Sequence, residues 1–352
     1  MAKSLLKSVA KRARCLQLAD RLPLDGVDLL ISDLDGVVYK GAGAIPYAVE
    51  SINRASATMR VAYMTNNASR TPASVSQQLI ELGLTVVPTD VVTSPQAAVR
   101  LLAGLVPAGS TVLVVGGEGL SSEVLKAGFA VTDSALDSPA AVIQGFAPEV
   151  GWTQLAEASF ALHEGIPWVA TNTDWTIPVA RGIAPGNGTL VSAVHSAVGR
   201  LPVVAGKPEA AIFEEAIRRF GASKPLFIGD RLDTDILGAN RSGIESVLVL
   251  TGIDRAKQVL AADKNSRPTF ILDDLRQLHE PYPQALHATE PATGDRIVSV
   301  GSAAVRMAGN AVTVERSGDR SIDLLRAAAA AIWDSGLAIY GLEVAPELYS
   351  EG

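Results

Sequence analysis

Leu29-Leu30-Ile31-Ser32-Asp33-Leu34-Asp35-Gly36-Val37 is the stretch on which the fold and its chemistry turn. The apolar run Leu29–Ser32 reads as a buried strand, and it stops at two acids and a glycine. Side chains alternate across a strand, so Asp33 and Asp35 at its end point roughly the same way. Two unpaired carboxylates at a buried sheet edge cost on the order of several kcal/mol unless a cation or hydrogen bonds offset them. A hard divalent ion such as Mg²⁺ does so through oxygen ligands. An Asp-Gly turn closing an ordinary strand accounts for the same residues, and this stretch alone does not choose between the two.

The pattern recurs along the chain. Val61–Thr65, Val112–Val115, Ala141–Gln144, Trp168–Thr171, Leu226–Gly229 and Val247–Leu250 are short apolar runs of strand length. Between them lie helical patterns such as Ala48–Ala57, Thr153–His163 and Pro208–Phe220. Alternation of this kind predicts an α/β protein with a parallel sheet covered by helices. Ligands of such sheets sit at the carboxyl ends of the strands, so the polar residues that end these runs are the candidates. Residues 88–198 carry strands and helices of their own and read as an inserted domain. His279 to Asp295, with Pro281, Pro283 and Pro291 and little periodicity, reads as a linker. Ala304–Met307 and Ala311–Glu315 flank Gly309-Asn310 and read as a hairpin. A helix over Ile322–Trp333 and a strand over Leu337–Val344 complete the expected tail.

Three further run ends carry chemistry. Thr65-Asn66-Asn67 offers a hydroxyl and two carboxamides, a neutral donor cluster suited to phosphate oxygens; a helix N-cap uses the same residues. Gly206-Lys207-Pro208 sets a cation beside a helix start, where anions are attracted, although an exposed loop lysine reads alike. In Gly229-Asp230-Arg231-Leu232-Asp233-Thr234-Asp235, Asp230 stands where a second metal carboxylate is needed, while acids also decorate helix starts. Each element alone is ambiguous. Four of them, in this order and each after a buried strand, are not.

The chain's 352 residues, 48% hydrophobic and 19% charged, suffice for a large core without disulfide or metal staples. A net charge of −7 argues against a dedicated nucleic-acid binder. Cys15 is the single cysteine, which excludes an intrachain disulfide and a thiolate metal cluster and fits a reducing compartment. Its spacing to Arg21 matches that of cysteine-dependent phosphatases, but the intervening residues lack a glycine and include Asp20. Residues 1–19 have the spacing of a basic amphipathic helix, expected to dock on its own domain, with an anionic membrane surface as the alternative. No later run is long and uncharged enough to span a bilayer, so no stable membrane insertion and a cytoplasmic location are expected.

Asp33–Val37, Thr65–Asn67, Gly206–Pro208 and Gly229–Asp235, in this order, resemble the four motifs of the haloacid dehalogenase superfamily of phosphohydrolases. The resemblance is to its NagD-like subgroup, which carries a large cap between the second and third motifs, and it covers roughly residues 25–280. It implies a Rossmann-like parallel catalytic core over residues 1–87 and 199–285 and an α/β cap over 88–198. Residues 286–352 resemble the small α+β, truncated GNAT-like domain found on a subset of these hydrolases that includes glycerol-3-phosphate phosphatases. The same resemblance implies that Asp33 is the nucleophile, forming an aspartyl phosphate, and that Asp35 acts first as general acid and then as base. It further implies Mg²⁺ held by the Asp33 carboxylate, the Asp35 carbonyl and the Asp230 carboxylate, with Asp235 supporting that shell and Lys207. Thr65, Lys207 and backbone N–H groups near Asn66 and Asn67 would bind the phosphoryl oxygens.

The function so implied is a Mg²⁺-dependent phosphatase of a small phosphorylated metabolite, glycerol 3-phosphate first. Phosphoglycolate, pyridoxal phosphate and nucleoside monophosphates are the alternatives. A phospho-accepting signalling domain also combines acids, a threonine and a lysine, but it would be shorter and capless. Thr171-Asn172-Thr173-Asp174, leading into Ile177 and Pro185-Gly186-Asn187-Gly188, resembles the cap loop that closes over the site. Ile177 stands where some relatives carry a histidine. His195, three residues after Ser192, has no third member for a catalytic triad. In the tail, Arg316-Ser317-Gly318-Asp319 is not the glycine-rich loop that coenzyme A requires, so no acetyl transfer is expected. Packing, self-association or regulation by a small ligand are the uses left to it.

Overall fold

The computed structural model describes residues 21–179 and 181–350. The expected amphipathic helix over 1–19, Cys15 included, lies outside them. Six strands form a wholly parallel sheet in the order Phe270–Leu272, Glu245–Val249, Pro225–Gly229, Leu29–Ser32, Arg60–Thr65 and Val91–Thr93. Leu29–Ser32 lies inside the sheet. The chain leaves it first towards Arg60–Thr65 and returns later on its other side at Pro225–Gly229, which opens a crevice at the carboxyl ends of these three strands. Both faces are buried: Leu29 and Ile31 join Ala62, Met64 and Phe227, while Leu30 joins Val61, Tyr63, Leu226 and Ile228. Strands buried on both faces read as unbroken apolar runs. Helix Ala210–Phe220 covers the first face with Ile212, Phe213 and Ala216, and helix Ala48–Ser56 covers the second with Ala48, Ile52 and Ala55.

Between Val91–Thr93 and Pro225–Gly229 the chain builds a second parallel sheet. Its order is Val203–Val204, Trp168–Ala170, Ala141–Gln144, Thr111–Val115 and Ala130–Thr132. Helix Ser94–Ala103 places Ala97, Ala98 and Leu102 in one apolar cluster that holds Met64 and Phe227 of the first sheet and Val114, Ile143 and Val169 of the second. An antiparallel hairpin, Thr176–Val179 with Gly182–Pro185, follows the strand Trp168–Ala170. The expected limits of the insertion, 88 and 198, both fall early. Val91–Thr93 pairs with Arg60–Thr65 in the first sheet, and Val203–Val204 pairs with Trp168–Ala170 in the second. Strands of two or three residues take their place from their neighbours, not from a pattern of their own.

The third sheet is an antiparallel run of Leu286–Thr289, Arg296–Val300, Ala303–Ala308 and Ala311–Arg316, with Glu343–Val344 added parallel to the last. Helix Ser321–Trp333 packs Ile322, Leu325, Ala328 and Ile332 into a cluster with Val298 and Val305, and the same cluster takes in Leu248 and Ile271 of the first sheet. Two expectations are corrected here. The stretch read as a linker contains the edge strand Leu286–Thr289, whose residues are all exposed and so show no alternation. The strand expected over Leu337–Val344 contracts to Glu343–Val344, after a helical turn at Ile339–Gly341. Among the described residues no helix is long and apolar enough to cross a membrane.

Candidate active site

The carboxyl ends of Leu29–Ser32, Arg60–Thr65 and Pro225–Gly229 deliver Asp33, Thr65 and Asp230, all buried, and the loop after Val203–Val204 delivers Lys207. The Asp33 N–H donates to the Ile228 carbonyl at 2.8 Å, which carries the strand pairing one residue further and fixes the start of the turn. Lys207 Nζ lies 2.7 Å from Asp33 Oδ1 and 2.7 Å from Asp235 Oδ1. Burial alone would depress this ammonium, but Asp235 and Asp33 outweigh it and hold Lys207 above the ordinary lysine value. Asp33 is pushed well above the usual carboxylate range by burial, then by Asp235, with Lys207 opposing.

Asp235 is wholly buried and fully engaged. Its Oδ2 accepts from the N–H groups of Asp230 and Arg231, each at 3.1 Å, while Oδ1 takes Lys207. Asp230 Oδ2 accepts from the Ile253 N–H at 2.7 Å. Gly36 and Gly252 close around that carboxylate: a Cβ built on them would lie 2.3 Å and 1.9 Å from Asp230 Oδ2. At Gly36 a φ of +81° adds a second reason for glycine. Burial, then Asp235, lift the Asp230 carboxyl to about 7.

Carboxylate oxygens of Asp33, Asp230 and Asp235 all lie within 4.8 Å of one another. Lys207 balances one of the three charges. Burial first, and then the remaining surplus of negative charge, raise the proton affinity of Asp33 and Asp230. A hard divalent cation is the matching counter-charge for an all-oxygen donor set of this kind. Asp235 is committed to Lys207 and to two N–H groups, so Asp33 and Asp230 are the carboxylates with an oxygen to offer. The residues present therefore fit Mg²⁺.

Asp35 stands exposed beyond the strand end, where the surrounding protein raises its carboxyl against the opposing charges of Lys207 and Arg70. Thr65 Oγ1 accepts from the Asn67 N–H at 3.1 Å and keeps its own hydroxyl proton to donate. The two asparagines reach the site, but their side-chain oxygens are taken. Asn67 Oδ1 accepts from Ser69 and Arg70 backbone N–H groups, both at 3.1 Å, and so shapes the loop. Asn66 grips the backbone of Lys207, with Oδ1 2.8 Å from its nitrogen and Nδ2 3.1 Å from its carbonyl oxygen.

The loop expected to close over the site does reach it, whereas Gly252, Ile253 and Asp254 went unmarked in the sequence. Asp174 accepts from Asn66 Nδ2 at 3.2 Å, and Asn172 Nδ2 donates to the Asn66 carbonyl at 2.8 Å. Asp254 accepts from the Leu232 N–H at 2.6 Å and, with Gly252 and Ile253, walls the Asp230 side. All of these follow the ends of buried strands, the position rule that marked Asp33. His195 lies on helix Asn187–Val198, with Nδ1 3.0 Å from the Arg200 carbonyl oxygen.

Comparison with known proteins finds relatives of this chain. A family model of haloacid dehalogenase-like hydrolases matches residues 30–130, and a HAD-hydrolase-like model matches residues 204–278. A D-glycerol 3-phosphate phosphatase of Mycobacterium tuberculosis is 42% identical over 309 residues, which span 88% of this chain and 86% of its own length. An acid sugar phosphatase of Staphylococcus aureus is 33% identical over 249 residues, 70% of this chain and 94% of its own. The crystal structure of a glycerol phosphate phosphatase from Mycobacterium tuberculosis in complex with magnesium matches with a TM-score of 0.81 at 39% identity, covering 92% of this chain and 94% of that one. A p-nitrophenyl phosphatase from Archaeoglobus fulgidus matches with a TM-score of 0.66 at 28% identity, covering 72% of this chain and 98% of that one.

Proposed function

The chain belongs to the haloacid dehalogenase-like hydrolases and is a phosphatase of that family, and we propose that it uses Mg²⁺ to hydrolyse glycerol 3-phosphate to glycerol and inorganic phosphate. One observation carries the chemistry: a buried ammonium flanked by Asp33 and Asp235, with Asp230 beside them, at the carboxyl ends of a parallel sheet. The choice of ester is supported by likeness over most of the chain to a D-glycerol 3-phosphate phosphatase, where sugar and p-nitrophenyl phosphatases align with 70–72% of it.

In this reading Asp33 and Asp230, with the Asp35 backbone carbonyl, hold Mg²⁺, which when bound supplies charge neutralisation to the phosphoryl oxygens. Asp33 attacks phosphorus in line, the bond to the glycerol oxygen breaks, and an aspartyl phosphate remains. Asp35 gives its proton to the departing alkoxide; its raised carboxyl suits a group that must hold a proton before the step. Asp35 then takes a proton from the water that attacks phosphorus, freeing Asp33 and inorganic phosphate. Lys207, the Thr65 hydroxyl and backbone N–H groups at Asn66 and Asn67 hold the phosphoryl oxygens in place through both steps. The first sheet is the catalytic core, the inserted sheet a cap over it, and residues 286–352 an added module. With Cys15 as the single cysteine, the reading places the chain in the reducing cytoplasm.

A phosphate-release screen with Mg²⁺ across small esters, both glycerol 3-phosphate enantiomers included, tests the proposal. The highest kcat/KM is expected for one glycerol 3-phosphate enantiomer. A higher value for phosphoglycolate or a sugar phosphate overturns the substrate, and no release from any ester overturns the activity.

A further inference from the structure

One side-chain amide joins three separate parts of the chain. Asn66, just after the strand Arg60–Thr65, closes a two-point ring on the backbone of Lys207, accepting from its N–H at 2.8 Å and donating to its carbonyl at 3.1 Å. Nδ2 also faces the Asp174 carboxylate, at 3.2 and 3.3 Å from its two oxygens. Two acceptors therefore meet Nδ2 and one donor meets Oδ1. A flipped amide would turn its one oxygen on both the Lys207 carbonyl and the Asp174 carboxylate, so Asp174 reinforces the orientation that the Lys207 backbone sets. Gly206 permits the close approach: a Cβ there would lie 2.6 Å from Asn66 Oδ1.

Asp174 is itself held from the inserted sheet. It stands on the loop after Trp168–Ala170, its N–H donating to Asn172 Oδ1 at 3.1 Å and its carbonyl accepting from the Gly188 N–H at 2.9 Å. Asn172 in turn donates to the Asn66 carbonyl at 2.8 Å and receives the Asn187 amide on its own carbonyl at 2.7 Å. A continuous hydrogen-bonded path thus runs from the start of helix Asn187–Val198 to the backbone that carries the buried ammonium.

We propose that Asp174 is a positioning residue for the reaction: acting through Asn66, it holds the Lys207 backbone so that the ammonium stays aligned on Asp33. The inserted sheet then completes the site as well as covering it. This rests on the reading above that Lys207 binds the phosphoryl group. Asp174 acts here without touching substrate, so its loss must hurt every ester equally.

A double-mutant cycle decides. Asp174→Ala, Asn66→Ala and the double variant are compared by kcat and KM on glycerol 3-phosphate and on p-nitrophenyl phosphate. Affinity for inorganic phosphate, measured by titration calorimetry with Mg²⁺, is followed alongside. Asp174→Ala is expected to lower kcat/KM about ten- to a hundredfold on both esters alike, the scale of a small misplacement of a catalytic group, and to weaken phosphate binding. In the Asn66→Ala background the same change should add less than about twofold, because its route is already cut. Asp174→Asn keeps an acceptor for Asn66 and should recover part of the loss, which separates positioning from a failure to fold. Additive losses would overturn the proposal. A loss confined to glycerol 3-phosphate would also overturn it, by making Asp174 a reader of the alcohol. If the wild-type protein prefers another ester, the substrate assignment falls while the p-nitrophenyl phosphate arm still decides the role of Asp174.

Discussion

At Lys207 one ammonium separates two buried carboxylates, each 2.7 Å away. Lys207→Ala would leave Asp33 and Asp235 facing each other with no cation, and removing one partner of a buried pair costs about 3–5 kcal/mol. The variant is expected to lose turnover and to melt at a lower temperature, both read on the same preparation. Asp230 makes a separate prediction about pH. Its carboxyl is lifted from 3.8 to about 7 in the folded protein, so between those values the folded state holds a proton that the unfolded chain has released. The stability this contributes is full below about pH 4 and is lost as pH rises through about 7. Mg²⁺ competes with that proton, so the rise in melting temperature on adding Mg²⁺ should be larger at pH 8 than at pH 6. An equal or smaller rise at pH 8 would speak against Asp230 as a ligand.

At the scale of the element, Gly252 is the tightest fit in the loop that follows Glu245–Val249. Gly252→Ala would press a Cβ to within 1.9 Å of Asp230 Oδ2. Overpacking of this kind costs about 1–3 kcal/mol, and here the displaced group is a proposed ligand. Weaker Mg²⁺ binding in a titration is therefore expected, with the circular dichroism spectrum of the fold retained. The sequence made some elements plain and hid others for physical reasons. Leu29–Ser32 is buried on both faces and declares itself as an apolar run, whereas Leu286–Thr289 is an exposed edge strand with no such mark. Thr65, Asp230 and Asp235 were legible because each ends or follows a buried strand; Lys207, expected after one too, instead follows the short, partly exposed Val203–Val204 and was legible only from its place beside a helix start. The pairing of Asn66 with Lys207 was not, since the two are 141 residues apart and a carboxamide at a strand end looks the same whether it meets phosphate or backbone. Gly252 and Asp254 obey the same positional rule and were passed over because no motif spelled them out.

For the whole molecule, the carboxyl ends of both parallel sheets turn towards the loop from Asn66 to Arg70. Thr65 and Asn66 enter that loop from the first sheet, while Asn172 and Asp174 come to it from the second. Helix Ser94–Ala103 shares its apolar face between the two sheets, so they form one packed body. The tail docks elsewhere, through Arg326, which donates to the Ile271 carbonyl at 2.7 and 2.9 Å and pairs with Asp323 at 2.8 Å. Arg326→Ala should lower the melting temperature by leaving Asp323 unpaired, with kcat close to the wild-type value, because nothing in that joint touches Asp33. A large fall in kcat would instead tie the tail to the chemistry. The central claim is that Asp33 takes the phosphoryl group, and one comparison tests it most directly. Phosphate release from glycerol 3-phosphate with Mg²⁺ is measured for the wild-type protein and for Asp33→Asn at equal, folded concentrations. Turnover is predicted for the first and a background rate for the second; a wild-type rate from Asp33→Asn would contradict the account.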